Sequence, residues 1–239
     1  MSNEQDARLP LLLLPGTACD ERVFGPVISR LGDYPVVFGD VGGARKMQDV
    51  ARKVLADAPP EFLLAGFSLG GICALEMIAQ APNRIAKLAL IDTTARPDPA
   101  ANAAIRRRAV VDARTKGMDG YILDAWARLV APSNVANAEL RQAIIAMARD
   151  CGADRLEDQA EMAIHRFDSR VRLSDIRQET LVLAGAHEQI CSLDAQQELA
   201  DGIAGAQFQL IENAGHFAPL ENPAAVAFYL RNWLPSSSA

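Results

Sequence analysis

The chain has 239 residues, half of them apolar, enough to bury one large core with room for an inserted subdomain. A formal net charge of −6 argues against nucleic acid or an anionic membrane surface as the main partner. Four cysteines (Cys19, Cys73, Cys151, Cys191) lie far apart with no C-x-x-C pair, which excludes a zinc knuckle or a disulfide framework and implies free thiols in a reducing compartment.

The opening Met-Ser-Asn-Glu-Gln-Asp-Ala-Arg has no basic region ahead of an apolar segment, so it is not read as a signal peptide. Cytoplasmic localisation is expected. Leu9 to Leu14 is a continuous apolar run, too short to span a bilayer and suited to a strand buried on both faces of a parallel sheet. Pro15-Gly16-Thr17 breaks it, and a helix follows with Val23, Val27, Ile28 and Leu31 on one side. Val36 to Phe38 reads as a second strand. The loop Gly39-Asp40-Val41-Gly42-Gly43 lacks the G-x-G-x-x-G spacing of a phosphate cradle and is a connector. Met47, Val50, Ala51, Val54 and Leu55 keep helical spacing until Pro59-Pro60.

The next segment organises the chain. Phe62 to Ala65 reads as a buried strand, Gly66-Phe67-Ser68-Leu69-Gly70 as a sharp turn, and Ile72, Leu75, Ile78 and Ala79 as one helix face. This is G-x-S-x-G between a strand and a helix, the pattern of a nucleophile elbow. Gly66 and Gly70 remove side chains that would collide with the neighbouring strand and helix, and the helix N-terminus favours developing negative charge. The alternative is an ordinary turn in which Ser68 caps the helix.

Ile85 to Ile91 is the following strand, ending at Asp92, and the β-α alternation to this point implies a parallel sheet with helices on both faces. The alternation then stops at a Pro-rich linker, Thr93 to Pro99. Up to about Arg172 only helical patterns follow, including Ile122, Ala125, Trp126 and Leu129, then Leu140, Ile144, Met147 and Ala148. The expected division is a core in two parts, 1–94 and 173–239, with a helical cap at 95–172. Successive helical residues point about 100° apart, so of Arg106-Arg107-Arg108 at most one or two can face a site. A solvated face is the preferred reading over recognition of an anionic substrate. Thr180 to Gly185 and Gln207 to Ile211 are the last strands, with a helix near Leu193 to Leu199 between them. Asn222-Pro223 caps a final helix carrying Val226, Tyr229, Leu230 and Trp233 inward. The Ser236-Ser237-Ser238 tail is expected to be frayed.

His216, in Asn213-Ala214-Gly215-His216-Phe217 after the last strand, is the candidate base, because a catalytic imidazole must reach the serine hydroxyl from the sheet's C-terminal edge. His165, in a helical stretch, reads as a packing or surface residue. Glu188, three residues past Gly185, is the preferred acid, in the chain order serine, acid, histidine. Asp92 is the alternative. His187-Glu188-x-x-Cys191 approaches the zinc motif H-E-x-x-H but lacks its second histidine and lies on a loop, so no metal and no cofactor are assigned. An oxyanion hole would take its N–H groups from Leu69 and Thr17.

These segments together resemble the α/β-hydrolase superfamily, in its small, cap-bearing group of microbial esterases, enol-lactonases and pimeloyl-carrier-protein methyl ester esterases. Leu14-Pro15-Gly16-Thr17, Gly66 to Gly71, Gly185 to Glu188 and Gly215-His216 fall where that family has its motifs, and the resemblance covers essentially the whole chain. It departs in having Pro15 where a histidine is common and Glu188 where aspartate is usual. With eight residues ahead of the first strand, the N-terminal strand pair of larger relatives is expected to be absent. The resemblance implies about six parallel strands in the order second, first, third, fourth, fifth, sixth. It also implies hydrolysis of a small-molecule ester or lactone. C–C bond hydrolases, cofactor-free haloperoxidases or perhydrolases, and non-catalytic binding proteins share the same apparatus.

Overall fold

A computed structural model describes residues 8–235; the serine tail and residues 1–7 lie outside it. Six strands form one parallel sheet in the order β2-β1-β3-β4-β5-β6. They are β1 (Leu11–Leu14), β2 (Val36–Phe38), β3 (Phe62–Phe67), β4 (Ile85–Ile91), β5 (Glu179–Gly185) and β6 (Gln207–Ile211). The strand order is the expected one. With right-handed β-α-β connections this order puts α1 and α8 on one face and α2, α3 and α6 on the other.

The helices are α1 (Gly25–Ile28), α2 (Met47–Asp57), α3 (Leu69–Gln80), α4 (Asn102–Leu129), α5 (Ala138–Ile164), α6 (Leu193–Gly202), α7 (Ala218–Glu221) and α8 (Pro223–Trp233). Alternate residues of each central strand serve opposite layers. Leu12, Leu14, Leu64 and Leu88 pack with α2 and α3, while Leu11, Leu13, Leu63 and Ala89 pack with α8 and with α4 and α5. The strands therefore read as unbroken apolar runs, as parallel strands covered on both sides must.

Two local readings change. The helix expected through Val23 to Leu31 is a 3₁₀ turn at Glu21–Val23 followed by the single turn of α1. Pro26 has no N–H to donate to the preceding turn, so the two pieces cannot fuse. The helices between β4 and β5 are bent. Gly117 (φ 82°, ψ 164°) interrupts α4 and Gly152 (φ 72°, ψ 168°) interrupts α5, a backbone region open almost only to glycine. Among the described residues, none between β4 and β5 is a strand, and no helix is long and apolar enough to cross a membrane.

Candidate active site

Ser68 sits between β3 and α3 at φ 52°, ψ −115°, a conformation that costs a non-glycine residue about 1–3 kcal/mol. The surrounding chain holds it there. Its N–H donates to the Ile91 carbonyl at 2.9 Å, and its own carbonyl accepts the Thr93 hydroxyl at 2.7 Å. A Cβ on Gly66 would stand 2.4 Å from the Gly70 carbonyl oxygen, and one on Gly70 would stand 2.1 Å from that of Leu14. Both contacts are with backbone, so neither can be relieved by turning a side chain. The elbow needs glycine at both places.

At the C-terminal edge of the sheet the loops after β5 and β6 bring two further side chains to Ser68. His216 Nε2 lies 2.9 Å from Ser68 Oγ, and His216 Nδ1 lies 2.6 Å from Glu188 Oε2. The other Glu188 oxygen accepts the Ile190 N–H at 2.5 Å, which fixes the carboxylate's rotation. The imidazole packs against Phe67 and, edge to face, Phe217, with ring centroids 5.3 and 5.8 Å away. All three polar side chains are buried.

Asp92, the alternative acid at the end of β4, makes other contacts. It is fully buried, and its carboxyl accepts the Gly185 N–H at 2.7 Å and the Ala218 N–H at 3.3 Å, with no hydrogen bond to His216. Burial, then the nearby Glu188 charge, push its carboxyl well above the usual carboxylate range. Asp92 thus ties β5 to the start of α7, just past His216, through these two N–H groups.

The N–H groups of Thr17 and Leu69 have no acceptor among the described residues, and both residues line the same cavity as Ser68 and His216. Its volume is about 480 Å³, within the range of small-molecule sites. Residues of α4 and α5 form one side of it, among them Arg106, Tyr121, Ile122 and Gln159. The arginine triplet divides: Arg106 lines the cavity, while Arg107 pairs outward with Glu161 and Arg108 with Asp112. His165 is exposed and pairs with Glu161. Glu188, Cys191 and His216 present ligand-type atoms within 4.8 Å of one another, but the carboxylate and imidazole are already engaged with each other and with Ser68. The Cys191 thiol is pushed up by burial and by Glu188, so it stays protonated near neutrality.

Sequence reasoning does not reach two supporting residues. Gln159, fully buried on α5, accepts the Ala18 N–H and donates to the Val41 carbonyl, both at 2.9 Å. It braces the loop that carries Thr17, where Ala18 itself has φ 53°. The available signal was a glutamine at helical spacing among Leu156, Ala160 and Ala163. Glu221 gathers four donors. The Gly215 and Phe217 N–H groups, flanking His216, reach Oε1 at 2.8 and 3.1 Å, while the Ala131 N–H and Asn134 Nδ2 reach Oε2 at 2.6 and 2.9 Å. Glu221→Gln offers an amide NH₂ where two of these donors need an acceptor, which costs about 1–3 kcal/mol. The variant is expected to melt several degrees lower and to lose about ten-fold in kcat as His216 drifts. Circular-dichroism melting and steady-state rates on one ester check both.

Residues 11–227 match the alpha/beta hydrolase family. The chain belongs to that family. It is 27% identical to the pimeloyl-[acyl-carrier protein] methyl ester esterase of Aromatoleum aromaticum over 192 residues, 75% of this chain and 76% of the relative. A thermophilic esterase from Thermogutta terrifontis, solved with malate bound, superposes with a TM-score of 0.86 at 28% identity, over 95% of this chain and 89% of that one. The enol-lactonase of Burkholderia xenovorans LB400 has the same fold, with a TM-score of 0.84 at 21% identity over 97% of this chain and 93% of its own.

Proposed function

We propose that this hydrolase cleaves a small carboxylic ester or lactone through an acyl-enzyme on Ser68. The observation that carries the reading is the unbroken chain of contacts from Ser68 Oγ through His216 to Glu188, beside two N–H groups without acceptors. The relative from Aromatoleum aromaticum, named for methyl ester hydrolysis, supports the ester class.

His216 Nε2 takes the Ser68 proton as Oγ bonds to the substrate carbonyl carbon. The Thr17 and Leu69 N–H groups receive the oxygen as it becomes negative, and Glu188 orients the ring and offsets the imidazolium charge. As the carbonyl re-forms, the C–O bond to the alcohol breaks and the departing oxygen takes the proton from His216. In a lactone that alcohol remains attached to the acyl group. Water then repeats the sequence, giving its proton to His216 and freeing the acid. The segment 95–172 acts as a helical cap that shapes the acyl and alcohol sites. The four cysteines are free, which suits a reducing, cytoplasmic setting.

A fluorophosphonate probe tests the reading. Peptide mapping is expected to find it on Ser68, with loss of hydrolysis of short-chain p-nitrophenyl esters in proportion to labelling. An unlabelled Ser68 together with no ester or lactone turnover overturns it. Turnover of a C–C bond or a peracid-forming reaction by a labelled enzyme would shift the assignment within the fold. A ligand bound tightly and never consumed would point to a binding protein.

A further inference from the structure

The chain is acidic overall, yet the wall of its reaction cavity is not. The charged side chains lining it are Arg96, Arg106, Arg128, Arg166 and a single carboxylate, Asp98. Arg96 is paired with Glu198, which lies outside the lining. Arg128 is exposed, and Arg106 and Arg166 both contact Asp98, whose side chain is 2% exposed.

Arg106 holds Asp98 with two prongs, Nε to Oδ2 at 2.7 Å and Nη2 to Oδ1 at 2.9 Å. Arg166 adds Nη1 to Oδ1 at 2.9 Å, and Asn102 adds its Nδ2 to the same oxygen at 3.2 Å. One carboxylate thus serves two guanidinium groups and an amide, with three of the four donors on Oδ1. The remaining Arg166 donors in use, Nε and Nη1, go to the carbonyls of Arg96 and Ala163. Arg106 Nη1 and Arg166 Nη2 donate to no described residue. The cluster therefore carries one uncompensated positive charge and two idle N–H₂ edges.

Arg106 from α4 and Arg166 from just beyond α5 both tie to the linker through the single carboxylate of Asp98. A second guanidinium, with a side chain 7% exposed, adds a desolvation cost that Asp98 alone does not offset. Burial, with a further contribution from the Arg106 charge, holds Arg166 below the ordinary guanidinium value, as expected where positive charge is in excess. Arg106, Arg166 and Cys191 line the one cavity with Ser68 and His216, and the Cys191 sulfur lies within 4.8 Å of ligand-type atoms of Glu188 and His216. The excess charge thus faces the same cavity as the reacting atoms.

We propose that Arg106 and Arg166, set by Asp98, form an anion subsite, and that the substrate is an ester or lactone carrying a carboxylate. This rests on the hydrolase reading above and narrows it. Planar guanidinium edges match a carboxylate in shape and charge, and a partly buried pair gains more than a surface one.

The test compares isosteric neutral and anionic esters on the wild-type enzyme. Monomethyl esters of dicarboxylic acids with two to six intervening carbons are set against the matching methyl ester amides. 4-Carboxyphenyl and 4-carbamoylphenyl butyrates place the same contrast on the alcohol side. The carboxylate member of at least one pair is expected to have the higher kcat/KM by about ten-fold or more, mainly through KM. Arg106→Gln and Arg166→Gln should each pull that ratio toward one. Arg106 is the more exposed of the two, so it serves if the other variant fails to fold. A readout without turnover runs in parallel: millimolar adipate should raise the Tm of the intact protein more than adipamide does, and Arg106→Gln should erase the difference. A ratio near one in every pair with no differential Tm shift overturns the subsite, as does a large ratio that neither variant moves. If Ser68 proves unreactive while adipate still stabilises through Arg106, the hydrolase reading fails and the anion site stands.

Discussion

Ser68→Ala should lower kcat by about 10⁴-fold or more, leaving the residual rate that substrate binding and the two N–H groups sustain without a nucleophile. The loss is chemical and not structural. The Ser68 hydroxyl meets only His216 Nε2, whereas its backbone is held by Ile91 and Thr93 through groups that alanine retains. The melting temperature of this variant should therefore stay close to that of the wild type. Ser68→Gly separates the two contributions. It is equally inactive, but glycine accepts φ 52° without the penalty that a Cβ imposes, so it should melt above Ser68→Ala. Catalysis and stability would then move in opposite directions at one residue, as expected where strain serves the site. A Ser68→Ala enzyme with near wild-type turnover would remove the acyl-enzyme, and an unfolded one would show the hydroxyl to be structural.

The parts of this molecule that were legible in the sequence are those set by local rules. Leu11–Leu14 and Phe62–Phe67 are apolar throughout because both faces of a central parallel strand are covered. Gly66 and Gly70 announce the elbow because backbone oxygens stand where their Cβ atoms would be. Ser68, Glu188 and His216 could be nominated from the loops they occupy, since every loop after a parallel strand emerges at the same sheet edge. The break at α1 follows from Pro26 and was misjudged by reading apolar spacing without it. The rest depends on pairings between distant segments. Nothing near Gln159 in the chain tells that it meets Ala18, and nothing near Asp98 tells that Arg166 joins Arg106 there. A run of three arginines looks solvated whichever member turns inward, and only the packing of α4 and α5 separates Arg106 from its neighbours. Glu221 went unread because its role is to accept from backbone N–H groups, and backbone donors leave no trace in composition.

Glu188→Gln should keep the fold and lower kcat by about 10³- to 10⁴-fold, while Asp92→Asn should cost less than about ten-fold. The two acids are both buried at the same sheet edge, and the contrast comes from what each one touches. Glu188 Oε2 receives the His216 Nδ1 proton donor at 2.6 Å. An amide in its place either turns its NH₂ toward the ring, favouring the tautomer that cannot accept the Ser68 proton, or leaves an imidazolium without a counter-charge. Asp92 meets only the Gly185 and Ala218 N–H groups. Burial and the nearby Glu188 charge both disfavour its charged form, so a neutral asparagine of nearly the same shape replaces it at little cost. The amide oxygen can keep the 2.7 Å bond from Gly185, and the variant loses chiefly the longer 3.3 Å one from Ala218. A somewhat lower Tm is expected with it, since that bond helps seat the start of α7 behind His216. Glu188→Asp is the finer probe. It withdraws the carboxylate by one C–C bond from a contact that tolerates a few tenths of an ångström, and its loss should fall between wild type and Glu188→Gln. Steady-state kcat for the three variants on one p-nitrophenyl ester decides the matter. Near wild-type turnover in Glu188→Gln with none in Asp92→Asn would move the acid to the end of β4 and reverse the assignment.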